Sequence, residues 1–157
     1  MIHLETRLAL PLDPALLENA AQQTLSYAQV EGEVELTLVI GDDRLLQEYN
    51  QQYLGVAAPT DVLSFPAEFT DPDTQAPYLG DVLISLERAV QQAAAGGHSL
   101  LEELQLLVVH GVLHLLGHDH AEPDETARMQ RAQDEVMARL GSRNSPRLGS
   151  DQDTSAG

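Results

Sequence analysis

Polar and apolar residues alternate across residues 33–40 (EVELTLVI) before the run turns wholly apolar, the pattern of a strand covered first on one face and then on both. Residues 2–10 predict an earlier strand. Pro11 and Pro14 interrupt the chain after it, and Asp13 is placed to cap a helix over residues 14–29, which ends before Gly32. Gly41, Asp42 and Asp43 form a turn and cap leading into a helix over 44–53, with Leu45, Leu46, Tyr49 and Tyr53 on one face. Two short apolar runs, 61–65 (DVLSF, stopped by Pro66) and 81–85 (DVLIS), predict two more strands. The acidic, proline-containing stretch 68–77 between them predicts an exposed loop. A helix over 85–95 stops at Gly96 and Gly97. Ser99 with Glu102 makes a capping box that opens the most apolar helix of the chain, running to Leu116 and stopping at Gly117. A last amphipathic helix spans 124–140, with Met129, Ala132, Val136 and Leu140 as its core stripe.

About four strands and five helices, without long strict alternation, predict an α+β fold: a small mixed sheet with the helices packed on it. Residues 1–141 read as one domain. Residues 142–157 are polar, aperiodic and rich in Gly and Ser, and read as a disordered tail.

The chain has 157 residues, enough for one sizeable core and too few for several domains. Its net charge of -17 comes from 25 acids against eight bases, all of them Arg. So acidic a surface argues against loose attraction to phosphate backbones, DNA included, or to anionic membranes. With no cysteine, thiolate zinc sites, iron–sulfur clusters and disulfides are excluded. The N-terminus lacks a basic region followed by an apolar run, and the longest apolar stretch, 104–116, is broken by Gln105, His110 and His114. A cytoplasmic protein is expected.

Candidate chemistry sits in one place. Four of the six His residues fall within eleven positions: His110, His114, His118 and His120. His110 and His114 are four apart on a predicted helix, so both imidazoles project from one face, as in the two-His helix of zinc proteases. His118 and His120 compete as third ligand. On a straight helix His118 would lie about 12 Å along the axis from His110, whereas zinc ligands must each approach the ion to about 2.1 Å. The chain must therefore bend after His114, which Gly117 permits, and His120, further past the turn, is the expected ligand. Three imidazoles leave the fourth position of a zinc ion open, the catalytic layout. In the protease helix a Glu follows the first His as general base; here that position is Gly111.

The run from His110 to His120, HGVLHLLGHDH, resembles the H-G-x-L-H-L-x-G-[YFH]-D-H signature of the YbeY family of bacterial endoribonucleases and ribosomal RNA maturation factors. The blocks PTDVLSFP, from Pro59 to Pro66, and LGDVLIS, from Leu79 to Ser85, are similar to two further family blocks in order and spacing. The resemblance spans roughly residues 36–140. It implies a metalloprotease-like, zincin-like fold and one zinc ion per chain on His110, His114 and His120. It further implies cleavage of single-stranded RNA by Lewis-acid polarisation of a phosphate, in small-subunit ribosomal RNA maturation and ribosome quality control, with the ribosome or its small-subunit factors as partners. Where the family carries an Arg after the aromatic of a Y-R-G-K-D-like segment, this chain has Leu54 after Tyr53, and Arg44 and Arg88 are the candidates to replace it.

Asp61 and Asp81 open two strands and are candidates to orient a ligand or relay a proton, against an equal expectation that each is a turn or cap carboxylate. His118 and Asp119 are expected to line the site, Asp119 chiefly by fixing the turn. Ser64 reads as strand structure, and His3 and His98 as surface or capping residues. The leading expectation is a zinc-dependent endoribonuclease. A metal-dependent peptidase and a ribosome-associated factor with structural zinc are the alternatives.

Overall fold

The computed structural model describes residues 1–55, 60–118 and 122–141. Among these the chain runs β1 (Ile2–Thr6), α1 (Ala15–Tyr27), β2 (Glu35–Gly41), α2 (Asp43–Leu54), β3 (Val62–Thr70), β4 (Pro77–Ser85), α3 (Leu86–Gly96), α4 (Leu100–Leu115) and α5 (Pro123–Arg139). The expected tail, 142–157, lies outside the described residues, as do Pro59, Asp119 and His120. The strands form one sheet in the order β1-β2-β4-β3. β1, β2 and β4 are parallel, and β3 is an antiparallel edge. This is the α+β class with a small mixed sheet that the pattern predicts.

The two sheet faces are covered unequally. Leu36, Leu38, Ile40, Val62, Val82 and Ile84 point into the main core with α1, α4 and α5. Val39, Leu63 and Leu83 point the other way and meet Leu46, Leu45 and Tyr49 of α2, with Phe65 of β3 beside them. α4 is the central helix: every residue from Glu103 to Leu113 is buried, so its termini need built-in stops. At its start Ser99 and Glu102 form the expected capping box. At its end the Gly117 and His118 amides donate to the His114 and Leu113 carbonyls, both at 3.0 Å, with Gly117 at φ +98°. This is the reversed bonding of a Schellman turn, which favours glycine.

Gly111 is where α4 touches the sheet. A Cβ there would lie 2.4 Å from Val82 Cγ1 and 3.3 Å from Ser64 Oγ, and Ser64 Oγ donates to the Gly111 carbonyl at 3.0 Å. Glycine in a helix interior costs about 1 kcal/mol relative to alanine; close approach to the sheet is what it gains here.

Several expected boundaries move. β1 stops at Thr6 rather than running to residue 10. β3 continues through Pro66 to Thr70, and β4 starts at Pro77 rather than Asp81. Proline lacks a ladder donor, yet β3 has a neighbour on one side only, and its register shifts between Pro66 and Phe69. The expected loop 68–77 therefore shrinks to a turn, which Thr74 ties to β2 by donating to Glu35 Oε2 at 2.6 Å. Pro14 is the N-cap of α1, and Asp13, the expected cap, stands one residue before it with Oδ1 accepting from the Ala15 amide at 3.0 Å. His98 is not a surface residue: its side chain is 14% exposed and bonds the buried Glu103 through Nε2.

Glu103 belongs to a buried acidic group at the N-terminal end of α4. Asp61 is 3% exposed and accepts from Gln92 Nε2 of α3 at 3.3 Å. Burial pushes the Asp61 and Glu103 carboxyls above their ordinary values, and their mutual repulsion adds to Glu103's shift; the Gln92 bond and the His98 bond oppose it.

Two outcomes are expected. Gly111→Ala gains helix propensity but drives a methyl into the β-branched, fully buried Val82, so overpacking wins. A net loss of about 1–2 kcal/mol in denaturant unfolding results, and a stabilised variant would refute the contact. Asp61, raised above 3.8, stabilises the fold fully only below that value and loses the contribution as pH climbs through the raised one. Asp61→Asn should therefore gain thermal stability relative to wild type from about pH 4 towards neutrality; a pH-independent difference would contradict the buried charge.

Candidate metal centre

His110 and His114 occupy successive turns of α4, and their ring centroids are 4.8 Å apart. His110 is 5% exposed; His114, one turn nearer the helix end, is half-buried. The His110 ring is fixed from behind by α5: Nδ1 lies 2.7 Å from Gln133 Oε1. An amide oxygen can only accept, so Nδ1 carries the hydrogen, and in the neutral ring Nε2 keeps its lone pair. That is the tautomer and outer contact usual for a metal-ligating histidine. Gln133 is 2% exposed, inside the stripe Met129, Ala132, Val136 and Met137. A glutamine at a core position of an amphipathic helix is the signal that would have singled it out.

The two described histidines have the chemistry of zinc ligands. His110 and His114 supply two borderline nitrogen donors on one face, and one of them is held in the ligating tautomer. His120, the expected third ligand, and Asp119 fall outside the described residues. Among the described residues no group of three His, Asp or Glu comes together to hold a metal. His118 is half-buried past the Schellman turn and lines a cavity of about 340 Å³ with Leu116, Gly117, Glu125 and Arg128.

The two candidate aspartates are not brought to the histidines. Asp61 faces Gln92 and Glu103, and Glu103 precedes His110 by seven residues, about 10 Å along the helix axis. Asp81 lies on the opposite face of the sheet. Its neighbour Val82 touches Gly111, so Asp81 itself points towards α2, where its Oδ1 accepts from the Tyr78 hydroxyl. Neither arginine suggested in place of Leu54 reaches the site. Arg88 Nε donates to Asp43 Oδ1 at 3.0 Å, joining α3 to α2, and Arg44 pairs with Glu48 on the exposed face of α2. Gly111 explains the missing protease glutamate: that position faces the sheet with no room for a methyl, still less a carboxylate.

Residues 10–141 match the family model described as Endoribonuclease YbeY. Curated proteins named Endoribonuclease YbeY are similar over most of their length. One from Roseiflexus sp. (strain RS-1) is 49% identical over 136 residues, 83% of this chain and 85% of that one. One from Pelotomaculum thermopropionicum is 47% identical over 80% of this chain and 84% of its own. One from Clavibacter sepedonicus is 37% identical over 87% and 92%. Among solved structures, the solution structure of TM1509 from Thermotoga maritima aligns with a TM-score of 0.59 and 25% identity, covering 92% of this chain and 95% of that one. With identities of this size over four-fifths and more of its length, the chain belongs to the endoribonuclease YbeY family.

Proposed function

We propose that this protein is a zinc-dependent endoribonuclease that cleaves single-stranded RNA during small-subunit ribosomal RNA maturation and ribosome quality control in the cytoplasm, with ribosomal RNA and the small subunit or its factors as partners. The observation that carries the reading is the His110–His114 pair on a buried helix, with Gln133 selecting the His110 tautomer, in a chain of this family. His110, His114 and His120 would hold the ion. When bound, zinc supplies a Lewis acid that polarises a phosphate oxygen and stabilises the charge growing on it.

The chain's own residues prepare that chemistry. Gln133 holds the His110 Nδ1 proton and so aims Nε2. The contact at Gly111 fixes the depth of both rings against the sheet, and the Schellman turn at Gly117 ends the helix at Leu115, one residue past His114. A peptidase reading is disfavoured, because the position that would carry its glutamate base is closed by Val82.

His114→Ala and chelation of the wild type should each reduce cleavage of an unstructured RNA by at least about a hundredfold, as loss of the central Lewis acid requires. Equal cleavage by both proteins would assign the activity to a contaminating ribonuclease and sink the reading. Gln133→Ala should weaken zinc affinity about 10- to 100-fold, measured by competition with a chelating dye. Unchanged affinity would mean that Gln133 only fills the core.

A further inference from the structure

The sheet face opposite the histidines carries a feature that the proposed chemistry does not use. The chain has only six aromatic residues, four Tyr and two Phe. Four of them, Tyr49, Tyr53, Phe65 and Tyr78, line one cavity of about 540 Å³ between α2 and the open part of the sheet. A fifth, Phe69, stacks on Tyr78 at 5.0 Å and 13°. Tyr53 stacks on Tyr49 at 5.5 Å and 22° and meets Phe65 at 5.3 Å. Tyr53 is nevertheless 57% exposed, so much of this ring remains open to solvent.

The cavity also has a polar relay. Thr37 Oγ1 lies 2.6 Å from the Tyr78 hydroxyl, which donates to Asp81 Oδ1. Burial and the Asp81 carboxylate push the Tyr78 hydroxyl up to about 12, so it stays a donor at physiological pH. The relay therefore ends on a carboxylate, which accepts hydrogen bonds and cannot give them. At the rim stand Glu5 and one cation, Arg7, whose guanidinium is 3.8 Å from Glu5.

Rings with an open face, an acceptor at the end of a hydroxyl relay and an acidic rim suit a flat ligand that carries N–H donors. They suit a phosphate poorly. We propose that this cavity is a nucleobase site: it takes an unpaired base of a single-stranded RNA, which stacks on Tyr53 and presents its amino or ring N–H edge to Asp81. The inference rests on the endoribonuclease reading for its choice of RNA. The edge strand connects the two places. Ser64 bonds the histidine helix at Gly111, while the next residue, Phe65, faces the cavity, so an RNA strand passing over β3 meets both.

In a chain this acidic, affinity must come from bases rather than phosphates. Stacking tolerates any sequence, whereas phosphate-led binding weakens steeply with salt. The test uses the full chain as His110→Ala, which the endoribonuclease reading makes unable to cleave, and a fluorescein-labelled ten-nucleotide oligoadenylate followed by anisotropy. Adding Tyr53→Ala should weaken binding about tenfold or more, the loss of one stacked base. Tyr53→Phe should bind like the parent, and an abasic strand of equal length should bind as poorly as the Ala variant. Raising the salt from 50 to 200 mM should change affinity by less than about twofold, against the factor of 10³ or more expected of a protein held by many phosphates. Equal binding by parent and Tyr53→Ala overturns the proposal, as does equal binding of the abasic strand or no binding of RNA by the parent. Cleavage by the wild type is scored separately. Cleavage that persists while Tyr53→Ala binds normally removes the base site and leaves the nuclease reading intact. Tyr53-dependent binding without wild-type cleavage does the reverse.

Discussion

Helix α4 meets the sheet at Gly111, where its backbone rests directly on the Val82 and Ser64 side chains, and the architecture of the candidate site depends on that contact. The missing Cβ lets the helix sit against Val82 and Ser64, deep enough for every residue from Glu103 to Leu113 to be buried. Two imidazoles carried on such a helix lie partly inside the protein, and a buried polar ring needs a defined partner. α5 supplies one to His110 through Gln133. The same contact removes an option. A helix seated this closely cannot carry a glutamate after its first histidine, so the two-His helix is shared with zinc proteases while their base is excluded by packing.

Much of this was legible in the sequence, because it is written in local rules. The capping box at Ser99, the glycine stop at Gly117 and the i, i+4 histidines follow from helix geometry alone, and the structure agrees with each. Position in the sheet was not legible. Pro66 reads as a strand stop unless β3 is known to be an edge, where the absent N–H costs no ladder bond. Asp81 and Val82 are adjacent, and only strand register decides which faces the histidine helix. Asp61 looks like a turn carboxylate until α3 and α4 close over it and leave it 3% exposed. Gln133 carried a signal, a polar residue within an apolar stripe, but its meaning needs the partner helix. The third histidine of the signature, His120, lies outside the described residues.

The net charge of -17 sits awkwardly with an RNA substrate until its range is considered. At physiological salt the screening length is about 8 Å, so most of the 25 acids are felt weakly at any one point. What counts is the charge within that radius. Neutral ligands matter here: three imidazoles add no negative charge, so in the proposed site the ion would keep its full double positive charge, at the end of a helix whose neighbours are mainly Leu, Val and Gly. Carboxylate ligands would have cancelled it. The buried acids Asp61 and Glu103 stand at the far end of α4, and Asp81 stands behind the sheet. These three carboxyls therefore stand away from His110 and His114, while Glu125, beside His118, is accompanied by Arg128 in the same cavity. With zinc bound as proposed, one cationic point on an otherwise acidic surface would disfavour a duplex, whose phosphates line both strands. A single strand can turn its bases towards the acidic surface and offer one phosphate to the ion.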